Sequence, residues 1–554
     1  MNAPGSAADA NLVVRRLGGS VLGRHLRVLN AVAALCAAPV VLSGCDAPSP
    51  LARWLGDDAR LRSALGDAVA SAPDALAMSR FYANRDHEPL WLIGKSVRPE
   101  AEKLIGMVDA LPSGVANGID ARKLRRLKAE AAGGDPAQLA RLEVALSSAL
   151  LGFGQALHAP VSRKTTFYVG AANAHRWADG TQLLSDAAEA PSLRDWLTSL
   201  GRINPLQLAY LRGLRAYGTD WSRLPQDRVG IGPALSSGDT GPRVAQLSRR
   251  LGVKPAGLAR FDTPLEKSVR AFQGAHGLPV TGIADSRTVE ALNRGSAYYE
   301  RVIRANLDRA SALPINLGQR YVLVNSTTQE LYAVENGRVR ERMRVIIGKV
   351  ETPTPDMVAA LRFMVVNPYW NVPPDLAAKR AVRVVREGYG VVEQERMQLL
   401  SGWEGDVREL RPEEVDWPAV ASGRVELRMR QRPGGDNMMG RVKFMAPNRL
   451  GIYLHDTPKK SAFVLSDRRL SAGCVRVEDA PRLARWLTGR SAPLSVNAAN
   501  VRVNLPKAVP LYIGYFTAVP DGGRIAFRND IYRRDPALLA QLGRGSTLMA
   551  SVAR

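Results

Sequence analysis

The sequence predicts a multidomain α+β protein, made of a helical domain, a small three-helix module and a mostly β domain with an inserted lid. At 554 residues the chain is too long for a single hydrophobic core. Helix-like apolar spacing fills residues 57–230, whereas short alternating apolar runs begin at Arg320. With 46% apolar and 23% charged residues, the composition is typical of folded, water-soluble domains rather than of disordered or polytopic chains.

Residues 1–45 have the pattern of an export signal. Several arginines precede a mostly apolar run at residues 28–42, and the run ends in the sequence LSGC. Because this run is too short to span a bilayer comfortably, a cleaved signal is favoured over a transmembrane anchor. The ending resembles the lipobox of bacterial lipoproteins, which implies that Cys45 becomes lipid-modified and forms the mature N-terminus. An uncleaved signal anchor, or a chance cysteine beside an ordinary cleavage site, would export the body as well.

The net charge of +24 at pH 7 would attract acidic partners at long range. Nucleic acid, anionic lipid and carboxylate-rich peptidoglycan all qualify, and an Arg-rich surface that only keeps the protein soluble is an equal alternative. The sequence has no zinc-knuckle spacing, no RNA-binding aromatic motif and no compact Lys/Arg run, so we expect no nucleic-acid partner.

The three cysteines are Cys36, Cys45 and Cys474, and only Cys474 lies in the predicted body. A disulfide framework within the body is therefore excluded, and a zinc site would have to form without paired cysteines.

Residues 235–297 predict a small helical bundle. Val244, Leu247 and Leu251 fall on one helix face, and Val269 and Phe272 fall on another. The pattern LSSGDTGPRVAQLSRRLG, followed by FDTPLEKSVRAFQGAHGLPVTGIADSRTVEALN, closely resembles the three-helix peptidoglycan-binding module of wall enzymes. The alternative is a module that has kept its packing residues and lost its ligand.

Residues 318–505 predict the mostly β domain. The Asn336-Gly337 pair between two apolar runs is a strong hairpin signal. Residues 373–424 do not follow the alternating apolar pattern that predicts the strands. They therefore predict an insertion that caps one face of the β domain, with a helix in LAAKRAVRVVREG. The remaining residues, 506–554, are predicted to complete the helical and β body.

One segment of the β domain carries the residues for thiol chemistry. A thiolate attacks an amide carbonyl only if a base deprotonates it and donors stabilise the oxyanion. His455 ends a predicted strand, and Cys474 follows nineteen positions later in a tight turn with Ala472 and Gly473, whose backbone N–H groups are predicted to form the oxyanion hole. A helix capped by Asp479 comes next, which predicts that Cys474 lies on a strand-to-helix loop.

Taken singly, a cysteine is more often a small buried hydrophobe than a nucleophile, and a histidine is more often structural. Together, His455, the S-x-G-C turn and Arg476 resemble the signature of the YkuD-type L,D-transpeptidase catalytic domain. Flanking segments resemble the large YcbB-like subfamily, in which a scaffold domain and a peptidoglycan-binding domain precede the catalytic domain. The resemblance covers most of residues 60–535, and its segments include FYANR, PLW and NGID in the helical part, and RYVLVNSTTQELY, VVNPYWNVPPDLA and LYIGYFTAVPDGGRIAFRNDIYRRD further on.

The resemblance implies roles for single residues. Cys474 would be acylated, His455 would be the base, and the backbone carbonyl of Asp456 would orient the imidazole. Many smaller members have His in place of Ala472 and Asn in place of Arg476. Because no second His is present in the turn, we assign the base to His455.

Further residues are predicted to contact the substrate. Arg476 is either a clamp for a stem-peptide carboxylate or a structural brace of the loop. Tyr453, Trp370, Asn371 and Ser471 are predicted to line the cleft, and the alternative for the aromatic pair and the asparagine is sheet packing and a turn.

By this resemblance Cys474 would attack the carbonyl of the third stem residue, expel the terminal D-Ala and pass the acyl group to a neighbouring amine, which forms a 3→3 cross-link. The same resemblance implies that no metal and no organic cofactor is required. Carbapenem-type β-lactams are expected to acylate the same thiol. The expected partners are peptidoglycan stem peptides, the membrane through the lipid anchor, and wall-synthesis proteins, on the periplasmic side of the cell envelope. Three other acceptors remain open, namely water, a free D-amino acid and a protein lysine, as does a non-catalytic lipoprotein that tethers peptidoglycan.

Overall fold

A computed structural model describes residues 50–72, 74–111, 120–158, 180–254, 259–489 and 498–542. The predicted export signal with Cys45, and most of the NGID segment, lie outside these residues. From Ala59 onward the described residues form one compact unit. No helix in the described ranges is long and apolar enough to cross a membrane.

The first part of the chain is helical, as predicted, because apolar residues recur every three to four positions and fill a common core. Helix α5 is buried at its centre, where the carboxylate of Glu143 accepts hydrogen bonds from the Tyr82 hydroxyl and from the backbone N–H groups of Leu90 and Trp91. The elements of this part are α1 Pro50–Ala70, α2 Ala75–Ala83, β1 Leu92–Ile93, β2 Ser96–Val97, α3 Pro99–Asp109, α4 Ala121–Glu130, α5 Pro136–His158, α6 Gly180–Glu189, α7 Leu193–Leu200 and α8 Pro205–Tyr217.

A three-helix module follows, as the apolar spacing predicts. It consists of α9 Pro242–Arg250, α10 Thr263–Ala275 and α11 Ser286–Asn293. Asp262 and Asp285 cap the second and third helices by accepting backbone N–H hydrogen bonds. The five apolar residues that predicted the bundle are all buried: Val244, Leu247, Leu251, Val269 and Phe272.

The chain then forms a long helix and enters the β domain with its insertion. The elements in chain order are α12 Ser296–Ser311, β3 Arg320–Asn325, β4 Glu330–Glu335, β5 Arg338–Gly348, β6 Met357–Val366, β7 Trp370–Asn371, α13 Pro374–Glu387, α14 Gly390–Gln394, β8 Met397–Leu400, β9 Glu409–Leu410, α15 Trp417–Ala421, β10 Arg428–Gln431, β11 Val442–Met445, β12 Leu454–His455, β13 Arg469–Ser471, β14 Val475–Val477, α16 Ala480–Thr488 and β15 Val501–Gly514.

The main sheet has nine strands in the order β13-β5-β14-β12-β11-β6-β15-β3-β4, and β4 also pairs with β5. One face of these strands packs with α16 in a single apolar core. The hairpin between β4 and β5 turns at Asn336 and Gly337, whose φ angles of 52° and 73° suit a tight two-residue turn, so this prediction is confirmed.

The insertion between β6 and β11 is a small domain of its own and is wider than the predicted range of 373–424. Its sheet has the order β7-β10-β8-β9, and the outer strand β7 begins at Trp370. These strands are two to four residues long. Strands this short carry too little alternation to be predicted from the sequence.

The predicted boundary at residue 505 falls inside β15, which runs through the main sheet. The hairpin that follows, β16 Ala518–Asp521 and β17 Arg524–Phe527, packs on the helical part. Ile525 lies against Gly213 of α8, where a Cβ atom would come within 2.5 Å of the Ile525 side chain. The C-terminal segment therefore contributes to both the β domain and the helical part.

Candidate active site

Four of the predicted site residues share one face of the main sheet. Strands β12 and β14 run parallel with His455 opposite Arg476, and the hydrogen bond from the Val475 N–H to the Tyr453 carbonyl extends this register to Cys474. Because side chains alternate along a strand, Tyr453, His455, Cys474 and Arg476 lie on the same surface, which we call the site face. The alternating residues lie in the core: Leu454, Val475 and Val477.

The imidazole of His455 is fixed by the backbone. It is 2% exposed, and its Nδ1 lies 2.6 Å from the carbonyl oxygen of Asp456. A carbonyl only accepts, so Nδ1 carries the proton and Nε2 is left as the basic nitrogen. Nε2 has no hydrogen-bond partner among the described residues.

The carbonyl of Asp456 holds the imidazole, and the carboxylate of the same residue is itself held by two hydrogen bonds and by close packing against Gly440. Its carboxylate accepts hydrogen bonds from the Arg441 N–H at 2.9 Å and from the Lys460 ammonium at 2.6 Å. Gly440 lies so close that a Cβ atom there would come within 2.4 Å of the carboxylate. Lys460 also donates to the carbonyl of Glu478, at 2.7 Å, and so connects the segment after β12 to the segment after β14.

Cys474 lies in a turn between two strands, β13 and β14. The prediction of a strand-to-helix loop is wrong, because Val475–Val477 pairs with β12 and with β5 before α16 begins. The predicted helix cap is confirmed, since the Asp479 carboxylate accepts from the Arg482 N–H at 2.9 Å. The helix therefore starts one short strand away from the thiol, beyond the range over which a helix dipole acts.

The turn itself is held by hydroxyl groups. Gly473 has a φ of +119°, a conformation that favours glycine, and its N–H donates to the Ser471 hydroxyl at 3.1 Å. The Ser471 hydroxyl in turn donates to the Cys474 carbonyl at 2.6 Å, and the buried Thr354 hydroxyl donates to the Gly473 carbonyl at 2.8 Å. Ala472 is exposed at the tip.

Two predictions change as a result. Ser471 is 3% exposed and its hydroxyl is used within the turn, so the structure gives it a role in holding the turn in place of the predicted substrate contact. The N–H of Gly473 is also occupied, whereas the N–H of Cys474 makes no hydrogen bond to the described residues. Among the described residues, the N–H groups of Ala472 and Cys474 are therefore the donors of the turn that remain available.

The predicted cleft residues are distributed over two places. Tyr453 is half-buried on the site face, with its ring centroid 5.8 Å from that of His455 and its hydroxyl 3.5 Å from the Met439 sulfur. Trp370 is buried in the core of the insertion, where the Arg380 guanidinium stacks on it at 4.7 Å, and Asn371 is exposed beside it. Trp370 therefore packs the sheet of the insertion, in line with the structural alternative.

The thiol and the imidazole are both neutral in the free protein. Burial raises the pKa of Cys474, although a Tyr453 N–H hydrogen bond, the Arg476 guanidinium and the Tyr453 hydroxyl oppose the shift. Burial, followed by the charges of Arg476 and Lys443, lowers the pKa of His455 to about 3. Both shifts favour the neutral forms, so a bound group that adds negative charge near His455 would make the imidazole a stronger base.

Sequence reasoning missed two residues that the structure places at the site. Lys443 lies opposite His455 on β11, and Thr354 supports the turn. The alternation of VKFM placed Lys443 on the polar side of a strand, but the sequence did not show that this side is the site face. No group of His, Cys, Asp and Glu suited to a metal ion occurs in the described part of the chain.

Three stretches of the chain match known families. Residues 319–505 match the YkuD family, described as "L,D-transpeptidase catalytic domain". Residues 76–213 match a family described as "Scaffold domain", and residues 244–292 match one described as "Putative peptidoglycan binding domain".

A curated relative and two solved structures are also similar. A "Putative L,D-transpeptidase" of Haemophilus influenzae is 30% identical over 221 residues, which cover 39% of this chain and 44% of that protein. This chain therefore matches less than half of the length of that relative. An L,D-transpeptidase structure from Xylanimonas cellulosilytica is 16% identical and covers 51% of this chain and 98% of its own, with a TM-score of 0.17. One from Mycobacterium smegmatis is 12% identical and covers 35% and 58%, with a TM-score of 0.17.

The three family matches occupy separate stretches of the chain, in the order scaffold, peptidoglycan-binding and catalytic domain. The chain therefore contains a stretch similar to L,D-transpeptidase catalytic domains, and its combination of matched domains is that of the YcbB-like architecture.

Proposed function

We propose that this protein is an L,D-transpeptidase that forms 3→3 cross-links between peptidoglycan stem peptides through a thioester on Cys474. The observation that carries the proposal is the shared site face of Cys474 and His455, with Nε2 of the imidazole open to it. A thiol next to an oriented imidazole is the arrangement that nucleophilic acyl transfer requires.

In the first half-reaction, Nε2 of His455 takes the proton of the Cys474 thiol, and the sulfur attacks the carbonyl carbon of the third stem residue. A C–S bond forms, and the carbonyl oxygen carries negative charge in the tetrahedral intermediate. The imidazolium then gives its proton to the amide nitrogen, the C–N bond breaks, and the terminal D-Ala leaves as an amine. The product on the protein is a thioester.

The N–H of Cys474 is the proposed donor to the oxyanion, since the neighbouring N–H of Gly473 is bonded to Ser471. The Thr354 hydroxyl holds the turn from behind, so this donor keeps its direction during the reaction. A fixed donor of this kind typically contributes a factor of about 10²–10³ to the rate.

In the second half-reaction, an amine on a neighbouring stem attacks the thioester carbonyl. The nitrogen loses a proton to His455, the C–S bond breaks, and the Cys474 sulfur takes the proton back. An amide cross-link results and the thiol is regenerated. Water, a free D-amino acid or a protein lysine would use the same acyl-enzyme with a different outcome.

The other domains would place this chemistry at the cell wall. We propose that residues 235–297 bind peptidoglycan and that lipid-modified Cys45 holds the protein at the membrane, on the periplasmic side of the envelope. Tyr453 packs against the apolar core of the insertion, which supports a role for the insertion in gating access to the site face.

The test uses the full chain, purified in detergent, with disaccharide tetrapeptides as substrate. We expect cross-linked dimers and a covalent protein adduct by mass spectrometry for the wild type, and neither for Cys474→Ala. A Cys45→Ala variant is the matched control, because it removes the other predicted functional thiol and should keep both products. A carbapenem should form an adduct with the wild type and with this control.

Two results would contradict the proposal in different ways. If the wild type forms an adduct but yields only tripeptide monomers, water is the acceptor and transpeptidation is excluded. If no adduct forms with either the tetrapeptide or the carbapenem, the protein does not form an acyl-enzyme. The hypothesis of a non-catalytic lipoprotein that tethers peptidoglycan is then favoured.

A further inference from the structure

One row of paired residues across the site face carries two cations, one on each side of His455. Arg476 lies opposite His455 on β14, and Lys443 lies opposite it on β11. Paired residues of neighbouring strands share a face and lie about 5 Å apart. Each cation is therefore one strand away from the imidazole, and the two cations are separated by about 10 Å of backbone.

Neither cation has a counter-ion among the described residues. Both side chains are half-buried, and the buried Nε of Arg476 has no hydrogen-bond partner. Burial lowers the pKa of both groups, and no carboxylate acts on either of them. Several arginines of the same sheet do have a carboxylate partner, as the Arg344–Glu478 ion pair at 2.6 Å and the Arg342–Glu330 ion pair at 2.8 Å show.

A half-buried cation without a partner is costly, because it gives up water without gaining a compensating charge. Two of them beside one imidazole provide a place for an anionic group of the bound substrate. The Lys443 ammonium also lies 6.0 Å from the Tyr453 ring centroid, so its charge is directed over the same surface as the thiol.

We propose that Arg476 and Lys443 bind the terminal carboxylate of the residue that leaves the donor stem when Cys474 is acylated. This inference rests on the proposed function. The nitrogen that His455 must protonate is separated from that carboxylate carbon by two bonds, a distance of about 2.5 Å. The carboxylate must then lie within one strand spacing of His455, where the register places both cations.

The same arrangement connects substrate recognition to proton transfer. In the free protein the charges of Arg476 and Lys443 add to burial in keeping His455 neutral. A carboxylate between them cancels part of that field, so the imidazole becomes a stronger base when a donor with a free carboxylate is bound. A donor without this carboxylate would leave the imidazole as weak a base as in the free protein.

The test compares two tetrapeptide donors that differ only at the C-terminus, one ending in the free carboxylate of D-Ala and one in its carboxamide. The full chain is mixed with each donor, and the rate of thioester formation is followed by intact-protein mass spectrometry. We expect the carboxylate donor to react about 10- to 100-fold faster, because charge-assisted hydrogen bonds of this kind have that effect.

Variants then test whether the faster reaction of the carboxylate donor depends on Lys443. Lys443→Met should reduce the carboxylate-over-carboxamide ratio several-fold, and Lys443→Arg should retain most of it. Lys507→Met is the matched control, because Lys507 is exposed at a bulge of the same sheet outside this row and its loss should leave the ratio unchanged. Circular dichroism shows whether each variant folds. If a variant does not fold, the carboxylate-over-carboxamide rate ratio of the wild type still tests the proposal.

The outcomes separate this inference from the proposed function. Equal rates for the two donors with the wild type would overturn the carboxylate site while leaving the acyl-enzyme intact. A ratio that survives in Lys443→Met would remove Lys443 from the site. If neither donor gives an adduct, the proposed function fails, and this inference fails with it.

Discussion

His455 in the β domain and His276 in the three-helix module have the same hydrogen bond on one ring nitrogen and differ on the other. Nδ1 of each is bonded to a backbone carbonyl, at 2.6 Å for His455 and 2.8 Å for His276. Both are buried, and burial is the main cause that lowers the pKa of each to about 3. By burial and pKa alone the two residues cannot be distinguished.

Their second nitrogens differ. Nε2 of His276 is bonded to the Tyr217 hydroxyl at 3.1 Å, inside a cluster of aromatic rings. Nε2 of His455 has no partner in the described structure and faces a surface with a thiol and two unpaired cations. A shifted pKa therefore identifies a candidate base only when the basic nitrogen remains available to a substrate. The rings around His276 are Phe272, Tyr299, Trp221, Phe527 and Tyr217.

The largest expected difference is in catalysis. His455→Gln should reduce the rate of thioester formation about 10²- to 10⁴-fold, because it removes the general base while keeping a polar side chain of similar size. His276→Gln is the matched control, and the part of it that folds should react at the wild-type rate. The rates are measured by intact-protein mass spectrometry with a carbapenem. An equal loss in both variants would mean that the comparison is wrong.

The second difference is in stability. His276→Ala should lower the free energy of unfolding by about 2–4 kcal/mol, because it leaves a cavity among packed rings and an unpaired Tyr217 hydroxyl. His455→Ala should cost less, since its ring has one aromatic neighbour and no partner on Nε2. Chemical denaturation followed by circular dichroism measures both. A larger loss for His455→Ala would make His455 the structural histidine.

The third difference is in pH dependence. Because the pKa of His276 is about 3 in the folded protein and about 6.5 when unfolded, the unfolded state binds the extra proton as the pH falls. The stability is fully present above pH 6.5 and is lost as the pH falls towards 3. His276→Phe should remove about 2 kcal/mol of the stability change between pH 7 and pH 5. Denaturant midpoints at the two pH values test this, and an unchanged difference would contradict it.

The smallest expected effect comes from Tyr217→Phe, which frees Nε2 of His276 without changing its burial. We expect a loss of about 1 kcal/mol in unfolding free energy, from one buried nitrogen without its hydrogen bond. No change in thioester formation is expected, because no thiol lies on that surface. Thermal unfolding and the carbapenem assay provide the two measurements. A change in acylation rate would show that the module influences the site.

Much of the fold was predictable because it depends on local signals. The Asn336-Gly337 hairpin, the helix cap at Asp479 and the three helices of the module are specified by residues close in sequence. The extent of the insertion was underestimated, because its sheet already begins at Trp370. Strand β15 continues past the predicted domain boundary at residue 505 as far as Gly514. In both places the strands have partners that are distant in the chain, and pairing of that kind leaves little trace in local sequence.

The site divides in the same way. The sequence by itself determined that Cys474 is the single body thiol, that His455 is the imidazole near it in the motif, and that Gly473 permits the turn. Only the tertiary structure decided that the Ser471 hydroxyl bonds within the turn and that the Thr354 hydroxyl supports the same turn. It also decided that Lys443 lies on the site face. The physical reason is that strand register and hydrogen-bond partners are set by chain segments as far as 119 residues apart, which meet only when the sheet forms.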